Sequence, residues 1–198
     1  MTTRTVVGPI THEAGNMGEW SGSSGVTAST TGAITGTYSA RGGAGAAADG
    51  YAQKTYGEKL GGRCTLTILK CNYRPRSTPS GSDPRILVHD IIGVGPRYLL
   101  QRDDADGKLY LNSTANKWST APTNGTAYAL EMWCFDDGAG GRGYSLLYVD
   151  GVLQITALVN DSVIPPADQA EALRVTGGKT TWDEVVDDVE VITVDSWN

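Results

Sequence analysis

A tryptophan and a carboxylate two positions apart on a strand have the chemistry to hold a sugar, and Glu131 and Trp133 stand in that relation within residues 127–135. Alternation along a strand puts Tyr128, Leu130, Met132 and Cys134 on one face, and Glu131 and Trp133, beside Phe135, on the other. The first face reads as core. On the second, the indole offers a flat apolar platform to the C–H face of a sugar ring while the acid accepts hydroxyl protons. The competing reading places Trp133 beneath a neighbouring loop or a second subunit, as aromatic residues of sandwiches usually are packed. Tyr110, which alternates away from Leu109 and Leu111, and Trp118, in the polar stretch 112–124, extend the candidate binding surface.

Catalytic chemistry is harder to assemble. Glycoside hydrolysis needs two facing carboxyl groups, about 5 Å apart in retaining enzymes and wider in inverting ones. Asp183, Glu184, Asp187, Asp188 and Glu190 supply acids in number, but an acidic entry into a last strand also serves solubility. The two histidines, His12 and His89, are not placed beside a serine or cysteine in a nucleophile motif. His89 and Asp90 are neighbours in a strand and so point to opposite faces. No catalytic residue is assigned, and the chain is expected not to be an enzyme.

The same restraint applies to metals. The run Asp103-Asp104-Ala105-Asp106-Gly107 lacks the spacing of a calcium loop and its distant bidentate glutamate, and reads as a turn. Glu13 with Asp187 or Asp188 would form a structural calcium site only if the terminal strands were neighbours. The expected metal is none, and no cofactor is expected. Cys64, Cys71 and Cys134 are odd in number and lack zinc-ligand spacing, so they read as buried free thiols.

These residues sit on strands. Segments 63–72, 85–92, 97–101, 108–112, 127–135, 144–149, 152–158, 172–175 and 185–194 are short, β-branched or alternating, and separated by turn dipeptides such as Asp106-Gly107, Asn124-Gly125 and Asp150-Gly151. Residues 21–50 are rich in Gly, Ser, Thr and Ala, with edge strands suggested at Val26–Ala28 and Tyr38–Ala40. Helix is expected only over 165–172, at most two turns. The sum is an all-β fold, a two-layer antiparallel β-sandwich with very little helix.

A chain of 198 residues with 26 glycines, five tryptophans and nine tyrosines suits one such core, read as one domain over 1–198 with 1–9 as an extended N-terminal arm. A net charge of −6 opposes a nucleic-acid partner. Residues 73–76, Tyr-Arg-Pro-Arg, with Arg85 and Arg97 offer positive charge to an acidic protein or glycan, but read more simply as a solvated loop face. No apolar run approaches the roughly 20 residues of a membrane span, and the N-terminus lacks a secretion signal, so no membrane partner is expected. Trp20, Trp182 and Trp197, near the two chain ends, are expected to clamp the sandwich or an oligomer interface.

Three strings carry a resemblance to a known family. Residues 12–20, His-Glu-Ala-Gly-Asn-Met-Gly-Glu-Trp, resemble an E-x-G-x-x-x-x-W opening; Thr35-Gly36-Thr37-Tyr38-Ser39-Ala40 resembles the strand that follows it; and the Tyr148-Val149-Asp150-Gly151 hairpin is followed by Asp187-Asp188-Val189-Glu190-Val191. Together these resemble the phage and bacterial versions of concanavalin A-like, laminin-G-like jelly rolls. Hydrolases of that fold commonly carry Glu-x-Asp-x-x-Glu on one strand, which this sequence lacks. Such domains occur in lectins, adhesins, glycoside hydrolases and phage virion proteins, so the resemblance implies fold more than function. Joined to the acidic, Gly/Thr/Ala-rich composition and the missing catalytic set, its phage versions lead to the expectation of a non-enzymatic structural or adhesion protein of a phage virion (a capsid decoration, head-fibre or tail-associated sandwich), assembled with other virion proteins and itself, and binding host-surface glycan. The alternative is a lectin-like module not tied to a virion.

Overall fold

The computed structural model describes residues 3–43, 50–56, 65–81, 83–91, 95–111, 116–136, 143–159, 171–176 and 183–194. The strands in chain order are β1 (Thr3–Ile10), β2 (Gly22–Ser24), β3 (Val26–Ser29), β4 (Ser39–Gly43), β5 (Tyr51–Thr55), β6 (Thr65–Pro75) and β7 (Arg85–Ile91). They continue as β8 (Gly95–Arg102), β9 (Leu109–Leu111), β10 (Tyr128–Asp136), β11 (Gly143–Val149), β12 (Val152–Val159), β13 (Glu171–Thr176) and β14 (Asp183–Val194). The larger sheet runs β12-β11-β10-β6-β14-β4-β3 with β1 added beside β14, and the smaller runs β2-β5-β13-β7-β8-β9. Every pairing between named strands is antiparallel. The two-layer sandwich expected from the alternation is therefore present.

Alternation explains the core. From the larger sheet, Leu69, Leu130, Met132, Leu147 and Val191 face inward, and Leu87, Tyr98, Leu100, Leu109 and Leu111 meet them from the smaller sheet, each essentially without solvent exposure. Cys71 and Cys134 are free thiols in this core, while Cys64, Trp182 and Trp197 lie outside the described residues; so does the expected helix over 165–172 up to residue 170, and its last two residues, Glu171 and Ala172, are instead strand, pairing in β13 with Ile91 and Asp90. The Asp150-Gly151 turn joins β11 to β12 with both residues at positive φ, the backbone of a tight two-residue hairpin. Asp150 also fastens that hairpin to β10, its carboxylate accepting from the Ala129 amide at 2.8 Å.

The expected N-terminal arm is corrected. Residues Thr3–Ile10 form β1, which pairs along β14 from Thr3↔Val194 to Ile10↔Val189, so in this structure the segment completes the chain's own sheet. Val7 and Ile10 bury there, which a free arm could not achieve. Strand β5 has no counterpart in the sequence expectations, because Tyr-Ala-Gln-Lys-Thr carries little apolar weight and only Ala52 is fully buried.

One edge of β14 is shared between two strands, β4 along Asp183–Val186 and β1 along Val189–Val194. Between them the chain bulges, with Asp188 at a φ of 48° and the register against β6 slipping between Asp187 and Glu190. The bulge turns Asp187 into the interior, fully buried, where its carboxylate accepts from His12 Nδ1 (3.2 Å), the Thr35 amide (3.2 Å), Thr35 Oγ1 (2.6 Å) and Ser39 Oγ (2.9 Å). On the far side of the imidazole, Trp20 Nε1 donates to His12 Nε2 at 3.0 Å. An indole only donates, so Nε2 accepts and the proton that faces Asp187 sits on Nδ1.

The neighbouring motif residues hold the same junction. The Glu13 carboxylate accepts from the amides of Thr37 and Tyr38. A Cβ on Gly36 would fall 2.2 Å from Glu13 Oε1, and one on Gly15 would fall 3.2 Å from the Tyr38 ring; both glycines also have positive φ. All three strings of the family resemblance therefore have a structural explanation, and Trp20 clamps the sandwich as expected.

A second buried charge bridges the layers. Arg102 of β8 donates to Glu184 of β14 at 3.0 Å, and to the carbonyls of Ser77 and Gly107 and the Asn124 side chain. Burial outweighs the arginine and pushes the Glu184 carboxyl up to about 7. Burial would raise Asp187 as well, but the bonds from His12, Thr35 and Ser39 prevail and hold it below the usual carboxylate range.

Two predictions follow from these opposite shifts. Asp187→Ala strands several buried donors at once and is expected to cost about 3 kcal/mol or more in chemical denaturation, whereas an unchanged midpoint would remove the junction from the account. The depressed Asp187 contributes stability that is present above the ordinary carboxylate pKa and lost as pH falls through its own lower value. The raised Glu184 contributes stability that is lost as pH rises from the ordinary glutamate value through about 7. Thermal unfolding followed from acid to neutral pH should show greatest stability in mildly acidic solution, and in Glu184→Gln the decline toward neutrality should flatten.

Candidate functional site

The outer face of the larger sheet is where a solvated antiparallel sheet would normally turn polar. Here it carries a second apolar layer. Leu66 and Ile68 of β6 and Val194 of β14 form a buried cluster separate from the main core, and Trp133, Phe135 and Ile192 pack against it. The register places Trp133 opposite Leu146 and Ile68, Phe135 opposite Tyr144 and Leu66, and Glu131 opposite Tyr148 and Lys70.

Four aromatic rings form a ladder on this face. Tyr144 stacks on Phe135 with centroids 4.2 Å apart and planes 11° from parallel; Trp133 lies 6.3 Å from Phe135 and 5.2 Å from Tyr148. Tyr144 is 41% exposed, and at the sheet edge Leu158, opposite it, is 75% exposed. Trp133 Nε1 donates to Glu131 Oε2 at 3.0 Å, and Lys70 Nζ lies 3.4 Å from Glu131 Oε1. The pair Glu131 and Lys70 is about one-third exposed on each side, so it offers acceptor and donor to a ligand at the border of the rings. The two sequence candidates Glu131 and Trp133 are thus brought together on the expected face.

Tyr110 and Trp118 are not brought there, which corrects the expected four-residue surface. Tyr110 lies in the smaller sheet, 6% exposed, with its hydroxyl donating to Asp83. Burial and that carboxylate push its phenol well above the ordinary tyrosine value. Trp118 packs edge-on to Tyr128, 5.7 Å between centroids, against the main core. Their places are taken by Lys70, Tyr144 and Tyr148, which the sequence reading missed. Alternation within residues 144–149 does put Tyr144 and Tyr148 on one side, but only the register with β10 puts that side beside Trp133.

The acidic C-terminal strand resolves into separate roles. Asp183 pairs with Arg41 and Arg76, Glu184 with Arg102, Asp188 accepts from Asn72, and Glu190 accepts from Thr5. The terminal strands are neighbours, as the calcium reading required, yet the oxygens of Glu13 and Asp187 are occupied by amide, hydroxyl and imidazole donors. Among the described residues, Asp83, Asp103 and Asp104 bring ligand atoms within 4.8 Å of one another. Asp103 there accepts from Lys117 at 2.6 Å and from the Ala105 and Asp106 amides, and Asp83 from the Asp104 amide and Tyr110, so the group serves its own turn.

No family model matches the chain, and no curated protein is similar to it in sequence. Solved structures are similar in fold. An endo-β-1,4-glucuronan lyase from the fungus Trichoderma reesei superposes with a TM-score of 0.62 at 12% identity, over 95% of each chain. A carbohydrate esterase of the Shiga toxin-encoding bacteriophage phi24B gives 0.59 at 15% identity, over 98% of this chain and 100% of its own. Peanut lectin gives 0.53 at 6% identity over 98% of each. Likeness at this identity concerns fold, and it overturns one expectation. The frame carries a lyase and an esterase as well as a lectin, so lacking one hydrolase motif does not remove this chain from the enzymes, and the expectation of a non-enzymatic protein is withdrawn. What the comparisons establish is the architecture: a jelly-roll β-sandwich of the concanavalin type.

Proposed function

We propose that the chain is a carbohydrate-recognising jelly roll that takes glycan on the outer face of its larger sheet and is carried on a phage particle, where that glycan belongs to the host surface. The observation that carries the reading is the ladder Tyr148, Trp133, Phe135 and Tyr144, set on a solvent-facing sheet surface and bordered by Glu131 and Lys70. Flat rings beside a hydrogen-bonding pair match the amphipathic surface of a sugar. The carbohydrate-directed proteins among the similar folds support the ligand class. The phage esterase, matched end to end, and the resemblance of residues 12–20 to phage sequences support the particle. Exposed Val152, Leu153 and Leu158 on β12 favour self-association there. A lectin-like module independent of any particle is the second reading, favoured by the likeness to peanut lectin.

A glycan array probed with wild type, Trp133→Ala and Tyr144→Ala tests the ligand class. Wild type should bind, and each variant, while keeping its thermal transition, should lose about tenfold in affinity; absence of binding by wild type, or full binding by both variants, would sink the reading. The bound polysaccharide is then followed for shortening or deacylation by the same protein. Mass spectrometry of purified particles separates the two settings, since absence from particles would leave the lectin-like module.

A further inference from the structure

The outer face does not end at the aromatic ladder. Strand β6 pairs regularly with β10 from Thr65 to Tyr73, so its alternate residues Leu66, Ile68, Lys70, Asn72 and Arg74 share that face from one end to the other. Across β14, Val185 stands opposite both Arg74 and Arg41, which puts the two arginines on the same side of the sheet. Arg76 follows at the strand end, its amide donating to the Asp183 carbonyl at 2.8 Å.

Two guanidiniums converge on one carboxylate, and a third lies beside them on the same face. Arg41 binds Asp183 through two nitrogens at 2.8 and 2.7 Å, and Arg76 through Nε at 3.1 Å. Arg74 gives Nη1 to the carbonyls of Gly32 and Ala33, while its Nε is buried with no acceptor. The Arg76 side chain is about one-third exposed, and its two terminal nitrogens make no hydrogen bond to a described residue. In a chain of net charge −6, the gathering of Arg41, Arg74 and Arg76 runs against the overall charge, and the terminal nitrogens of Arg76 are its open donors. The sequence reading of residues 73–76 as a solvated loop face does not describe it, because Tyr73 is core and Arg74 lies on the sheet.

We propose that this arginine cluster is an anion subsite of the glycan-binding face, so that the ligand is an acidic polysaccharide whose carboxylate or sulfate groups meet the open nitrogens of Arg76, with Arg41 and Arg74 adding positive charge beside it, while its sugar rings lie on Trp133 and Tyr144. The inference rests on the function proposed above and adds the charge class of the ligand. Guanidinium forks match planar carboxylates and sulfates in a way a lysine does not. Arg74 lies six positions along β6 from Ile68, which is opposite Trp133, a span of about 20 Å at strand rise. A ligand touching both ends is therefore a polymer rather than a monosaccharide. Between them Lys70 and Asn72 supply further donors along the path.

Binding of the whole chain to immobilised polygalacturonate, dextran sulfate, neutral dextran and polyglutamate tests the subsite, with wild type, Arg76→Ala, Arg76→Lys and Trp133→Ala compared. At least one acidic polysaccharide should bind in preference to dextran, weaken with salt, and lose about tenfold in Arg76→Ala with less recovered in Arg76→Lys than a point charge would restore. Trp133→Ala should weaken the acidic polysaccharide but not polyglutamate. Equal binding of neutral and acidic polymers, or indifference to Arg76→Ala, overturns the anion subsite and leaves glycan recognition standing. Polyglutamate binding as tightly as the polysaccharides overturns it in favour of an acidic protein partner. No binding to any polysaccharide here, together with a blank glycan array, overturns both.

Discussion

One buried carboxylate joins the parts of this chain that lie furthest apart in sequence. Asp187, turned inward by the β14 bulge, takes hydrogen bonds from the turn after β1 and from the segment that leads into β4, and does so at the point where β14 changes partner from β4 to β1. A charge in that position is tolerable only while each of its oxygens is satisfied. The requirement fixes His12 in one tautomer and puts Trp20 behind it, while Tyr38 and Glu13 beside the junction leave no room for side chains at 15 and 36. The junction lies within the larger sheet, which runs from β12 to β3 and carries the long outer face.

That face divides by chemistry along its length. Rings and aliphatic side chains dominate the end formed by Leu66, Val194, Phe135 and Tyr144; ion pairs and amides occupy the middle at Lys70, Glu131 and Asn72; guanidiniums dominate the end at Arg74 and Arg76. On the opposite layer Tyr110 donates to Asp83 and Lys117 pairs with Asp103, and no row of stacked exposed rings lies there among the described residues. The aromatic row is the physical reason why the proposed recognition is placed on the larger sheet.

The layered fold was legible because it depends on local patterns. Strict alternation in residues 127–135 identified both faces of β10, and Asp150-Gly151 marked the β11–β12 hairpin through backbone freedom alone. The arginine cluster, the aromatic ladder and the Asp187 junction were not legible, since each is made by register between strands, such as Val185 with Arg41 and Arg74, that no single window contains. Tyr110 and Trp118 show the converse error: alternation and a polar neighbourhood describe a residue's side of its own strand, not which sheet that strand joins. The expectation for residues 1–9 failed for a related reason, since a polar-alternating terminus pairs whenever a neighbouring edge is vacant, and β4 leaves half of β14 open.

Locating a bound oligosaccharide residue by residue is the most direct test of the account. In an amide-resolved titration with the tightest polysaccharide fragment, perturbations should concentrate on Glu131–Phe135, Tyr144–Tyr148 and Lys70–Arg74 on the larger sheet. Perturbations confined to β7, β8 and β9 of the smaller sheet would contradict it.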